Sequence, residues 1–178
     1  LQQQLQPKTG NIIEIPEDFY NGKQSPKTLT TQSQKTRYQT TDGKVVGTHQ
    51  GAHFFTIGQR KGLGVGGTPE PLFVIDTDVV ENVVYVGQGK DHPGLFRQAL
   101  QVSLADVHWV REDLKTIQGE PMEVMARIRY RQPLQKATLI PQADAFYVLF
   151  DQPQSAITSG QFVAWYLDKE LLGSGVIA

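Results

Sequence analysis

The chain has 178 residues, 39% of them hydrophobic and 20% charged, with a formal net charge of −1 and no cysteine. That length bounds it to one large domain or two small ones, and its apolar content is too high for a disordered chain. The lack of Cys excludes disulfides, zinc–thiolate sites and thiol catalysis from this stretch, and the near-zero charge means that a nucleic-acid partner would have to be met by local positive charge.

Leu1 stands where Met would be expected, so the chain reads as a piece of a longer protein. No basic, then apolar, leader is visible, and no apolar run approaches the roughly 20 residues of a membrane span. Short apolar alternations between Gly and Pro turn signals predict an all-β chain. The predicted strands are Gly10–Ile15, Val45–His49, His53–Ile57, Leu72–Asp76, Val83–Gln88, Gln98–Trp109, Met122–Arg131, Lys136–Ile140, Ala145–Asp151, Gln161–Leu167 and Glu170–Ile177. A helical turn is expected from Ser103 to Asp106, with Ser103 as its cap. Glu17–Thr41, rich in Gln, Thr, Ser and Lys and broken by Pro26, reads as an inserted, mobile loop. Asp42-Gly43 signals a hairpin turn. Asp91-His-Pro-Gly94 is a second break, which places a domain boundary there: residues 1–94 first, 95–178 second.

Two constellations stand out. Gly62, Gly64 and Gly67 form a G-x-G-x-x-G string. A dinucleotide site needs a helix to open on such glycines, but Thr68-Pro-Glu-Pro71 denies one. The glycines instead permit positive φ and close backbone approach in a long loop. Gln59, Arg60 and Lys61 stand just before it and present donors; an exposed polar turn is the plainer reading of these three alone. In Met125-Ala-Arg-Ile-Arg-Tyr-Arg-Gln132, period two sends Val124, Ala126, Ile128 and Tyr130 one way and Arg127, Arg129 and Arg131 the other. A row of guanidiniums suits phosphate, and Tyr130 could stack on an unpaired base. A solvated strand face neutralised by nearby Asp and Glu remains the open alternative.

The remaining candidates are weaker. His49 and His53 have i, i+4 spacing, but Gly51 spoils the helix a metal pair requires, so no metal is expected. Asp76 and Asp78 share a strand face without a partner acid or base. Ile157-Thr-Ser-Gly-Gln161 reads as a turn before a strand, and Trp109 and Trp165 read as core.

Phe55-Thr-Ile-Gly-Gln-Arg-Lys-Gly-Leu-Gly-Val-Gly-Gly67 resembles the signature of the tRNA-specific 2-thiouridylases, the MnmA family. Further landmarks follow in the family's order: Gly47-Thr-His-Gln-Gly51, Pro71-Leu-Phe-Val-Ile-Asp76, Val86-Gly-Gln-Gly89 with His92-Pro93, Val107-His-Trp109, Arg127-Ile-Arg-Tyr-Arg-Gln132, Phe150-Asp-Gln-Pro153 and Thr158-Ser-Gly-Gln161. The resemblance implies two small β-domains: a central SH3-like β-roll, then a C-terminal β-barrel similar to the second domain of translation elongation factors. It implies tRNA contacts at Arg129, Tyr130 and Gln161, with Arg127 and Arg131 beside them. Gln59, Arg60 and Lys61 would face tRNA or another domain. It places no catalytic residue and no cofactor here; ATP with Mg, a PP-loop and both catalytic cysteines would lie in a preceding domain. The implied partners are the anticodon stem-loop of tRNA and a sulfur-donor relay protein, in the cytoplasm. The alternative is a protein-interaction module that docks the catalytic domain or that relay partner. A self-sufficient enzyme with a nucleotide on the glycine loop is the weakest reading.

Overall fold

Ten strands, one α-helix and five 3-10 turns make up the regular structure of residues 7–23, 27–117 and 119–178, which the computed structural model describes. The described chain falls into two compact units. Residues 7–23 and 36–95 form the first; residues 27–35, 96–117 and 119–178 form the second.

In the first unit, β1 (Gly10–Glu14), β2 (Lys44–His49), β3 (Leu72–Asp78) and β4 (Val83–Gln88) form a sheet of order β2-β1-β4-β3. β1 and β4 run parallel; the outer pairs are antiparallel. The two inner strands are covered on both faces, so Ile12 and Ile13 are both buried, as are Val84, Tyr85 and Val86. One face packs Ile12, Val74, Val84 and Val86 with Ala52 and Leu63. Apolar burial of this kind contributes about 25 cal/mol per Å² removed from water.

The predicted strand His53–Ile57 does not form. A 3-10 turn spans Ala52–Phe54, and Gly58 with φ 88° turns the chain after it. Just after it, a pair of backbone bonds reaches β3: Gly58 N–H donates to Val74 O, and Val74 N–H to Gln59 O.

In the second unit, β5 (Phe96–Trp109), β6 (Met122–Arg127), β7 (Gln135–Pro141), β8 (Phe146–Ser155), β9 (Phe162–Leu167) and β10 (Glu170–Ile177) close into a barrel of order β10-β5-β8-β7-β6-β9. Every neighbouring pair is antiparallel. Alternate residues point inward: Val124 and Ala126 on β6, Ala137 and Leu139 on β7, Val163 and Trp165 on β9. The interior of so small a barrel is filled by side chains, and Trp165, fully buried, occupies it against Trp109 and Phe146. The all-β expectation therefore holds, with one closed barrel and one separate sheet.

Two local expectations need correction. Ser103–Asp106 is strand, not helix: it lies in β5 where the register against β10 slips, Val102 facing Ile177 and Val107 facing Gly175. All four side chains are exposed, so a helix there would have no apolar face to bury. The segment 17–41 is not one structureless loop of the first domain. It holds a 3-10 turn at Glu17–Tyr20 and a helix α1 (Leu29–Ser33), which opens on a reciprocal Thr28–Thr31 cap. Residues 27–35 pack with the second unit, where Arg97 Nη1 donates to Ser33 O at 2.7 Å.

Candidate nucleic-acid interface

Antiparallel pairing of β6 with β9 sets Arg127 opposite Ala164, so the end of β6 and the start of β9 meet at one end of the barrel. The turn Ile128–Gln132 and the 156–161 connection from β8 to β9 converge there. This places Arg129, Tyr130 and Gln161 at the same barrel end.

The predicted row of three arginines on one strand is not what forms. β6 stops at Arg127, four residues short of the expected Arg131. The Gln132 side chain ends it: Ile128 N–H donates to Gln132 Oε1 at 3.0 Å, and Gln132 N–H returns to Arg129 O. Gln132 Nε2 also donates to Gln154 Oε1 at 2.6 Å, anchoring the turn. Pro133 follows and offers no N–H to resume the ladder.

The three guanidiniums consequently have different surroundings. Arg127 is half-buried; its Nη2 donates to the Tyr166 hydroxyl at 2.9 Å. Its charge centre lies 5.2 Å from the Tyr130 ring and 5.1 Å from the Tyr166 ring, within cation–π range of both. Arg129 Nη2 donates at 3.0 Å to both Ser155 O and Ala156 O. Ala156 has φ 54°, a left-handed conformation rare for a residue with a Cβ, and Arg129 holds its carbonyl. Arg131 is exposed. Among the described residues, none of the three is engaged in an ion pair; Arg111, elsewhere on the barrel, pairs with Asp113 and Glu170.

Tyr130 is 86% exposed, an uncommon placement for a ring of that size. Gln161 is half-buried at the end of a turn closed by Gly160, whose φ of 86° suits a residue without a Cβ. Its backbone bonds to Ile177, while its buried Oε1 has no partner among the described residues.

Gln59, Arg60 and Lys61 belong to the first unit. Gln59 is spent on its own loop: its Oε1 accepts from Thr56 N–H and its Nε2 donates to Lys61 O. Arg60 and Lys61 are exposed. The glycine loop after them does use positive φ, at Gly62, Gly64 and Gly67, with Leu63 buried as its anchor. Close approach by the chain itself is absent: a Cβ at Gly64, Gly66 or Gly67 would meet nothing within 4 Å.

Sequence reasoning missed Tyr166, Phe162 and Arg97. Phe162-Val-Ala-Trp-Tyr-Leu167 is apolar throughout, so its outward face cannot be told from its inward one without the strand pairing.

Residues 27–88 match a family model described as the tRNA methyl transferase PRC-barrel domain, and residues 99–177 one described as the aminomethyltransferase beta-barrel domain. The tRNA-specific 2-thiouridylase MnmA of Christiangramia forsetii is 60% identical over 185 residues, which cover 100% of this chain and 47% of that protein. The chain belongs to the tRNA-specific 2-thiouridylase family. The MnmA of Flavobacterium johnsoniae is 61% identical with the same coverage, and that of Halalkalibacterium halodurans 49% identical over 78% of the chain. The chain thus spans about half the length of the curated relatives it matches. Arg129, Tyr130 and Gln161 fall in the barrel match, and Gln59–Lys61 in the PRC-barrel match. No described helix is long and apolar enough to cross a membrane, and among the described residues no group of three or more His, Cys, Asp or Glu could hold a metal ion.

Proposed function

We propose that this chain is the tRNA-positioning part of a tRNA-uridine 2-sulfurtransferase. The barrel end that carries Arg129, Tyr130 and Gln161 holds the anticodon stem-loop, so that the wobble uridine reaches an ATP-dependent active site elsewhere in the longer protein. Relatives named tRNA-specific 2-thiouridylase support the substrate. The PP-loop, the Mg-bound ATP, the catalytic cysteines and the docking of a sulfur-relay protein are assigned to that remaining part, and the whole to the cytoplasm.

One observation carries the reading. Arg127 lies over an almost fully exposed Tyr130, Arg129 precedes that ring in the chain, and neither guanidinium is paired with a carboxylate among the described residues. A merely solvated strand face would have neutralised them. Guanidiniums meet phosphate with a planar fork, and phosphate contacts fix register without reading sequence. Holding the RNA this way removes much of the entropic barrier to bringing base and sulfur donor together.

The test is a salt titration of tRNA binding. The logarithm of affinity should fall linearly with that of salt concentration. Arg129→Ala should weaken binding by about 1.5–3 kcal/mol, the range for a hydrogen bond to a charged group. A flat salt dependence, with affinity indifferent to replacing Arg127, Arg129 and Arg131 together, would instead make the barrel a protein-docking module.

A further inference from the structure

We propose that the outer face of β9 belongs to the same RNA surface, with Phe162 serving as a second ring on which an unpaired base stacks. The inference rests on the barrel-end reading of Arg129, Tyr130 and Gln161 and adds the class of RNA element recognised: unpaired loop nucleotides, not duplex.

Strand alternation fixes the geometry. Val163 and Trp165 fill the barrel, so Phe162, Ala164 and Tyr166 point outward. Arg127 faces Ala164 across the β6–β9 ladder, with Tyr166 on one side of it and Phe162 on the other. Same-face neighbours along a strand stand about 6.6 Å apart, and Ala164 contributes only a methyl between the two rings. Phe162 directly follows Gln161 and is 65% exposed.

The resulting surface alternates π faces and cation. Arg127 is held over Tyr166 by its bond to the hydroxyl and lies over Tyr130 as well, so Tyr166 positions Arg127 and, through it, Tyr130. Bases inside a duplex are already stacked and offer their edges; unpaired bases offer both faces to aromatic rings and guanidinium planes. A Phe left in water beside guanidiniums that pair with no carboxylate among the described residues fits that ligand better than an apolar protein surface, which would leave the charges unpaired.

The experiment measures anisotropy of labelled tRNA with this chain and with Phe162→Ser, Phe162→Tyr and Arg129→Ala, each checked for folding by tryptophan fluorescence. Phe162→Ser should raise Kd on the order of tenfold with the salt slope unchanged, since stacking on a neutral ring releases no counterion. Phe162→Tyr should restore affinity. Arg129→Ala should reduce the slope by about 1. Single-stranded RNA should compete with tRNA better than duplex RNA of equal length. If Phe162→Ser leaves Kd unchanged while Arg129→Ala weakens binding, the β9 face falls and the barrel-end site stands. If neither variant matters, or the unsubstituted chain binds no tRNA, both fall. A Phe162→Ser variant that lowers the salt slope, or duplex competing equally well, would also overturn stacking.

Discussion

Gly173 stands on β10 directly between two tryptophans, paired with Trp109 of β5 on one side and Trp165 of β9 on the other. A Cβ there would lie 2.6 Å from His108 O and 2.8 Å from Trp165 Cζ2. Neither neighbour has room to retreat. The carbonyl belongs to a paired strand, and the Trp165 ring is held by Trp109 at 5.5 Å and Phe146 at 5.2 Å. Gly173→Ala therefore inserts a methyl into a filled interior, which costs about 1–3 kcal/mol. For a domain of this size each kcal/mol moves the melting midpoint by roughly 4–8 °C, so a loss of about 10 °C is expected. Both tryptophans of the chain sit in the barrel core, so tryptophan fluorescence during heating follows this unit alone. Adding Trp165→Phe, which keeps Trp109 as the probe, should recover part of the loss against the same substitution alone, as coupled neighbours do. An unchanged midpoint in Gly173→Ala would refute the description of the barrel interior as jammed.

Arg97→Ala should free residues 27–35 from the barrel, because Arg97 donates to Ser33 O and to Ile157 O, both at 2.7 Å. Loss of two charge-assisted bonds should lower barrel stability by about 1–3 kcal/mol, and faster amide exchange across α1 is the direct readout; unchanged exchange would contradict the anchoring. His49 and His92 should make the first unit acid-sensitive. Each accepts a backbone N–H at Nδ1, from Gly51 and Gly94, and donates from Nε2 to Asn82 O and Ile15 O, so each is held neutral. Burial, acting first, pushes both below the usual histidine range despite those carbonyl bonds. The unfolded chain then takes up more protons near its ordinary pKa of about 6.5, so this stability is complete above that pH and is lost as pH falls through the lower folded values. Circular dichroism melts at pH 7.5 and 5.5, with the tryptophan signal subtracting the barrel, should show the first unit losing ground; equal midpoints would rule this out.

Much of the fold was legible because short apolar runs stand between turn signals: Val83–Gln88 and Glu170–Ile177 match the prediction at both ends. The failures share a cause. At Ile128–Gln132 the alternation continues in the sequence while the chain turns, since the stop comes from one glutamine side chain capturing a strand N–H and not from Gly, Asn or Asp. At Ser103–Asp106 a register slip imitated a polar helical turn. α1 was missed because its cap uses Thr at both ends in place of the Thr-x-x-Glu pattern that marks a helix start. In the candidate site, Tyr130 and the arginines could be found by their chemistry, but Tyr166 and Phe162 required knowledge of which strand lies beside β6.

Residues 27–35 also impose an order on events. They leave the ribosome ahead of β2 and the rest of the first sheet, yet the strands they pack against, β5 and β8, come after that sheet is complete. Domains fold broadly as they emerge, so the first unit can finish while this piece of its chain is still without a surface to cover. An expression product ending near Leu95 would carry it permanently unpartnered, and one beginning at Phe96 would leave the barrel bare where it belongs.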